Sequence, residues 1–157
     1  MSISRLDPVE RAKRYAKSRD LTIEKDFGYG CDGFVLATNK GTAIKAFLFP
    51  QLYLYELEIY EYLKKWQINK AHDFHIPELV SSDPGLSVIE MTVVSPPFIL
   101  DFVSARIEGD FVYDEEWIAQ RMDEFEDDWP TVRSAIIWLA QQGIQLVDVH
   151  PGNIRCR

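Results

Sequence analysis

The stretch "LVDVHPGNI", residues 146–154, decides how the rest of the chain reads. It follows an apolar helical run and a glycine, Gly143, and it sets Asp148 and Asn153 five residues apart. An aspartate in such a loop can accept a hydroxyl proton and orient the nucleophile. The amide oxygen of Asn153 can ligate Mg²⁺, and His150 can approach a transferring phosphate. The plainer reading is an Asx- and Pro-Gly-rich turn. That reading accounts for Pro151, Gly152 and Asn153. It accounts less well for Asp148, because a carboxylate set between Val147 and Val149 needs a partner.

Upstream of this loop the chain reads as helices. Pro130 opens one in which Val132, Ala135, Ile136, Leu139 and Ala140 recur at helical spacing, with Gly143 as its C-terminal cap. The acidic run from Asp114 to Asp128 reads as a helix with a solvated face; a docking surface for a basic partner is the alternative. The chain is expected to turn helical directly after Pro96-Pro97.

The first two thirds read as strands. "LTIEKDF", "GFVLAT" and "TAIKAFLF", between Leu21 and Phe49, are β-rich runs separated by "GYGCDG" and by the hairpin turn Asn39-Lys40-Gly41. They predict a three-stranded antiparallel meander. Asp7-Pro8 predicts a capped helix ahead of it, reaching about Ser18. Pro50 ends the meander and starts a helix whose apolar stripe is Leu52, Tyr55, Ile59, Tyr62, Leu63 and Trp66. Asp83-Pro84-Gly85 then joins two more strands within "IPELVSSDPGLSVIEMTVV". The order predicts an α+β protein in two lobes joined near Val93 to Phe98.

Bulk properties narrow the function classes. With 25 acidic and 17 basic residues in 157, the net charge is -8, which argues against nonspecific nucleic-acid binding. No apolar run approaches the roughly 18 residues of a membrane helix, and the N-terminus lacks the apolar core of a signal peptide. Cys31 and Cys156 read as two thiols of a reducing compartment. The expectation is a cytoplasmic protein with neither nucleic acid nor membrane among its partners.

Three further features carry chemistry. "GYGCDGFV" sets Gly28, Gly30 and Gly33 in a loop, with Tyr29 between the first two and Val35 just beyond. Glycines let backbone N–H groups approach phosphate oxygens, although a glycine-rich hairpin has the same composition. A dinucleotide fold needs a helix right after such glycines; here a strand follows. Lys45 lies in the apolar strand "TAIKAF", as an outward-facing strand lysine or as a cation aimed at phosphates under the glycine loop. On the next helix, at about 100° per residue, Glu61 faces solvent, while Glu56 and Glu58 flank the apolar stripe nearly equally. Geometry alone does not choose between them as the partner of Lys45.

In this order, the glycine loop, Ala-Ile-Lys strand, Glu-bearing helix, apolar strand and Asp-x-x-x-x-Asn loop resemble the protein-kinase-like superfamily, over about residues 21–157. "DVHPGN" is similar to the loop of aminoglycoside-phosphotransferase-type kinases. The resemblance implies an antiparallel-sheet N-lobe with one helix, followed by a reduced helical C-lobe ending at the catalytic loop. The divisions expected are an N-terminal helical extension over 1–20, an N-lobe over 21–95 and a truncated C-lobe over 96–157.

The resemblance also implies ATP and Mg²⁺ in an interlobe cleft. Val35 and Ala43 would sandwich the base. The Glu90 carbonyl and Thr92 amide would bond adenine, with Ile89 guarding the back. Lys45 would hold phosphates and pair with Glu56, which the family pattern favours over Glu58. Asp148, Lys45 and His150 would act in catalysis, and Asn153 would ligate the metal.

Leu146-Val147 replaces the usual His-Arg or His-Gly, and the chain stops four residues after Asn153, before any Asp-Phe-Gly segment. Two functions are therefore expected. One is a minimal ATP-dependent phosphotransferase acting on a hydroxyl. The other is a pseudokinase-type module that binds nucleotide or a protein without transfer. A chain whose continuation carries the missing parts is a third expectation. The stub "NIRCR" is expected to present an unpaired strand edge covered by a protein partner or a second copy.

Overall fold

In the computed structural model, which describes residues 7–102 and 104–157, Asp7 caps α1 (Pro8–Ser18) by accepting the Glu10 N–H at 2.9 Å. The chain forms two compact units. One runs to Lys64 and resumes over Pro77–Val93; the other comprises Lys65–Ile76 and Val94–Arg157.

In the first unit the expected meander forms: β1 (Ile23–Tyr29), β2 (Gly33–Thr38) and β3 (Thr42–Phe47) are antiparallel neighbours. Gly41, at φ 73°, takes the left-handed turn position that a side chain would resist. After α2 (Pro50–Lys65) the chain returns through two two-residue strands, β4 (Lys70–Ala71) and β5 (Phe74–His75), which belong to the second unit. It then adds β6 (Leu79–Asp83) and β7 (Val88–Thr92) to the first sheet, where the Asp83 carboxylate accepts the Leu86 N–H at 3.0 Å in the turn. The sheet order is β1-β2-β3-β7-β6, antiparallel throughout.

Strand periodicity then sorts the side chains. The register Val35–Lys45–Ile89 and Ala37–Ala43–Met91 puts those six residues on one face. Phe34, Leu36, Ile44, Ala46 and Val88 point the other way and form a core with Ala12, Tyr15 and Ala16 of α1. The Phe, Leu, Ile and Val side chains among them contribute about 1.5–3 kcal/mol each when fully buried. Glu90 shares that second face. Its carboxylate accepts from Tyr15 at 2.8 Å and from Thr42 at 2.7 Å. The buried Arg11 guanidinium donates to the carbonyls of Leu86 and Phe47, tying α1 to the sheet.

The expected stripe of α2 is corrected. Tyr53, Glu56, Ile59, Tyr60 and Leu63 are buried, whereas Tyr55 and Trp66 are about 60% exposed. At about 100° per residue the buried face is centred on Glu56 itself. An apolar stripe locates the buried face only when that face is wholly apolar, and here an ion pair sits at its middle.

In the second unit the chain does not become helical directly after Pro96-Pro97. β8 (Ile99–Leu100) and β9 (Arg106–Ile107) come first. They form because partners distant in sequence need them: β8 lies between β5 and β11 (Ile154–Arg155), and β9 pairs with β10 (Ile144–Gln145). The expected helices follow as α3 (Glu115–Phe125), capped by Asp114, and α4 (Trp129–Gln141), with a 3₁₀ turn over Glu126–Asp128 between them. Val132, Ala135, Ile136 and Leu139 of α4 are buried, and Gly143, at φ 93°, ends it. The stub after Asn153 is paired: Ile154 lies opposite Leu100, so one side of β11 is already occupied. No helix among the described residues is long and apolar enough to cross a membrane.

Candidate functional site

Lys45 sits at the centre of the first unit's site. The middle of β3 carries it on the face opposite α1, and only 7% of the residue is exposed. A buried ammonium needs counter-charge. Glu56 of α2 provides it, with Oε2 2.8 Å and Oε1 3.0 Å from Nζ. The outward-facing reading of Lys45 therefore does not hold, and of the two candidate glutamates it is Glu56 that pairs. Glu58 is exposed. The ammonium also lies 4.9 Å from the centre of the Phe47 ring, a cation–π contact.

A second carboxylate reaches the same nitrogen. Asp32, inside the glycine loop, places Oδ1 at 3.0 Å and Oδ2 at 3.1 Å from Lys45 Nζ. The sequence reading passed over it because an aspartate between glycines is ordinary turn chemistry. Its place in "GYGCDGFV" was the available signal.

The glycines have distinct uses. Gly28, at φ 78°, faces open space. Gly33 is a packing glycine: a Cβ there would lie 2.6 Å from the Ala46 carbonyl oxygen. The amide of Gly28 donates to the Asp26 carboxylate at 2.6 Å and that of Gly30 to the Gly33 carbonyl at 2.8 Å. Those two N–H groups are spent inside the loop, so they do not form the phosphate cradle expected of them. Tyr29 is exposed, its ring 4.9 Å from that of Phe34.

Val35, Ala43 and Ile89 share the Lys45 face and leave an apolar surface beside the ammonium. The expected adenine contact at Thr92 does not fit this register, because its amide donates to the Glu78 carbonyl at 2.9 Å. Glu90 lies inside the sheet, opposite Ile44 on one side and Ser81 on the other. The strand stays paired through Thr92 because β6 and β3 flank it that far.

In the second unit the loop from Leu146 to Asn153 joins β10 to β11. Leu146 and Val149 are buried and hold it down, whereas the Asp148 side chain is 45% exposed. The flanking valines do not bury the carboxylate. The partner it needed is Asn153, whose Nδ2 donates to the Asp148 carbonyl at 2.9 Å and carboxylate at 3.1 Å. This leaves the Asn153 amide oxygen, the atom suited to a magnesium ion, outside the bonds of the loop. His150 Nδ1 accepts the Gly152 N–H at 3.1 Å, and its Nε2 lies 3.7 Å from Asp148 Oδ1. Among the described residues no group of three or more His, Cys, Asp or Glu side chains is placed to hold a metal.

Two residues outside the motif brace this loop. Tyr113 donates to the Leu146 carbonyl at 2.8 Å and Arg121 to the Val149 carbonyl at 2.9 Å, bracketing Asp148. Burial raises the Tyr113 pKa, opposed by its bond to Leu146. The Arg121 guanidinium also lies 5.2 Å from the Trp117 ring centre. Arg121 belongs to the run read as a solvated acidic face, and nothing in that run's composition marks it.

No family model and no curated protein matches the chain. Among solved structures it is similar to one described as the streptomycin–ATP–APH(2")-IIa ternary complex, at 15% identity and a TM-score of 0.45. The match covers 59% of this chain and 31% of that one.

Proposed function

We propose that the chain is a kinase-like protein that binds ATP with Mg²⁺ and transfers its terminal phosphoryl group to a hydroxyl acceptor. The observation that carries the reading is the buried Lys45–Glu56 ion pair on an otherwise apolar strand. Folding alone does not call for it, since a buried pair is often no better for stability than apolar residues of equal volume. A lysine held in this way is a preorganised point charge for phosphate oxygens.

In this reading Val35 and Ala43 give the base an apolar seat and Lys45 holds phosphate. Asp148 orients the acceptor hydroxyl and takes its proton, and Asn153 keeps that carboxylate in place. The Asn153 amide oxygen would hold Mg²⁺, which supplies charge neutralisation at the phosphates. His150, hydrogen-bonded within the same loop, would stand near the transferred group.

A second reading is a module that binds nucleotide without transfer. It is favoured by the two carboxylates on Lys45, which oppose the arrival of more negative charge.

Calorimetry with ATP, with and without Mg²⁺, on the wild type and on Lys45→Ala checked for folding by circular dichroism, tests both readings. Metal-dependent binding that Lys45→Ala weakens is expected. No heat at millimolar ATP would end both. Turnover lost in Asp148→Asn while binding persists would separate transferase from module.

A further inference from the structure

An ammonium has three N–H donors. Around Lys45 Nζ, four carboxylate oxygens lie within 3.1 Å, two from Asp32 and two from Glu56. Two of these contacts are hydrogen bonds, one to each carboxylate. With both carboxylates ionised the cluster of one cation and two anions is net negative. A phosphate approaching it meets repulsion and must compete with two carboxylates already bonded to the ammonium.

We infer that Asp32 is a built-in competitor for anionic ligands at Lys45. Nucleotide phosphate reaches the ammonium only as the Asp32 carboxylate leaves it, and the glycine loop thereby gates the site. The inference rests on the nucleotide reading above and adds the regulation of that site.

Three observations single out Asp32 rather than Glu56 as the group that leaves. Glu56 is fixed on a helix, in the middle of its buried face. Asp32 sits in the three-residue turn between β1 and β2, flanked by Cys31 and Gly33, and its side chain is the more exposed of the two, at 13% against 5%. Its backbone is nonetheless anchored, since the Asp32 carbonyl accepts the Leu48 N–H at 2.9 Å. Rotation about the side-chain bonds of Asp32 frees Lys45 without dismantling the sheet.

The contact also accounts for a local mismatch. The Gly28 and Gly30 amides are used inside the loop, so the loop as it stands is closed on itself and on Lys45. The phosphate-like group at the lysine is the loop's own carboxylate.

The test compares wild type with Asp32→Asn and Asp32→Ala in two measurements. The first needs no nucleotide: the rate at which an amine-reactive acylating reagent modifies Lys45, followed by mass spectrometry. Faster modification in both variants is expected, and equal rates would overturn the gate whatever the protein binds. The second is the Kd for ATP with and without Mg²⁺. Relief of like-charge repulsion should tighten binding at least about tenfold in both variants, in either condition.

Unchanged affinity would overturn the inference. Weaker binding only when Mg²⁺ is present would also overturn it, by making Asp32 a metal ligand. Faster labelling together with no ATP binding in any of the three proteins would leave the shield on Lys45 standing and sink the nucleotide reading instead. Asparagine is nearly isosteric with aspartate, and thermal melts of both variants establish that each is folded when compared.

Discussion

One nitrogen of Asn153 holds Asp148 twice, by its carbonyl at 2.9 Å and by its carboxylate at 3.1 Å. The bond to the carboxylate orients the side chain; the bond to the carbonyl closes the turn. Because Asp148 is exposed and Asn153 only half-buried, Asn153→Ala should change stability by only about 0.5–1 kcal/mol. On the proposed transferase reading, a carboxylate free to rotate loses its alignment, and the rate of phosphoryl transfer, read as ATP hydrolysis with water as acceptor, should fall by about a hundredfold. Urea melts alongside single-turnover kinetics check the pair of effects. A large loss of stability with little change in rate would show that the bond only closes a turn.

Lys45→Met should destabilise the first unit by about 3–5 kcal/mol, because the buried Glu56 carboxylate is left without a cation. Adding Glu56→Leu should recover most of that loss, since an apolar pair fills the same space without an uncompensated charge. Chemical denaturation of the single and double variants measures the difference. A double variant as unstable as the single one would locate the cost in packing rather than in charge.

The glycines separate by what a side chain would meet. Gly33→Ala places a Cβ 2.6 Å from the Ala46 carbonyl and must push β2 from β3, at about 1–3 kcal/mol. Gly28→Ala meets open space but has φ at 78°, and costs about 1 kcal/mol. Asparagine, which tolerates that conformation, should restore part of the loss at position 28 and none at position 33. Thermal melts of the four variants test the distinction.

Tyr15 is fully buried, and its pKa is pushed up to about 12 from 10, chiefly by burial, with the bond to Glu90 adding to the rise and a bond to Ser81 opposing it. The folded protein therefore holds this proton more tightly than the unfolded chain does. Its contribution to stability is complete below pH 10 and is lost as pH rises through about 12. Tyr53 and Tyr113 are raised by burial as well and act in the same direction. Tyr15→Phe should flatten the alkaline decline without abolishing it. At neutral pH it should cost about 1.5–3 kcal/mol, from the hydrogen bond lost to a buried carboxylate. Melting temperatures from pH 7 to 12 follow both effects. A decline as steep in the variant as in the wild type would exclude Tyr15 as its source.

Legibility in the sequence followed locality. Asp7, Asn39-Lys40-Gly41, Asp83-Pro84-Gly85 and Gly143 each act on a few neighbouring residues, and each boundary they predicted formed. The β-rich composition that made β2, β3 and β7 readable is likewise local. β8 and β9 were not readable, because two-residue strands have no period and exist only where β5, β10 and β11 receive them. The face of α2 was misplaced for a related reason. A pattern of apolar residues carries no information about a glutamate buried by a lysine on another element. The part of the brace supplied by Arg121 was hidden in the same way, inside a run whose composition reads as surface.

The sequence alone thus determined the α+β order of elements, the antiparallel meander and the candidate residues Lys45, Asp148 and Asn153. Propensity, turn chemistry and periodicity act through near neighbours and leave their mark on the local string. The tertiary structure alone decided which carboxylates reach Lys45. It chose Glu56 over Glu58, brought Asp32 to the same nitrogen, and used the Thr92 amide within the sheet. Those outcomes depend on register and on charges meeting across elements, where a shift of one residue turns a side chain to the opposite face.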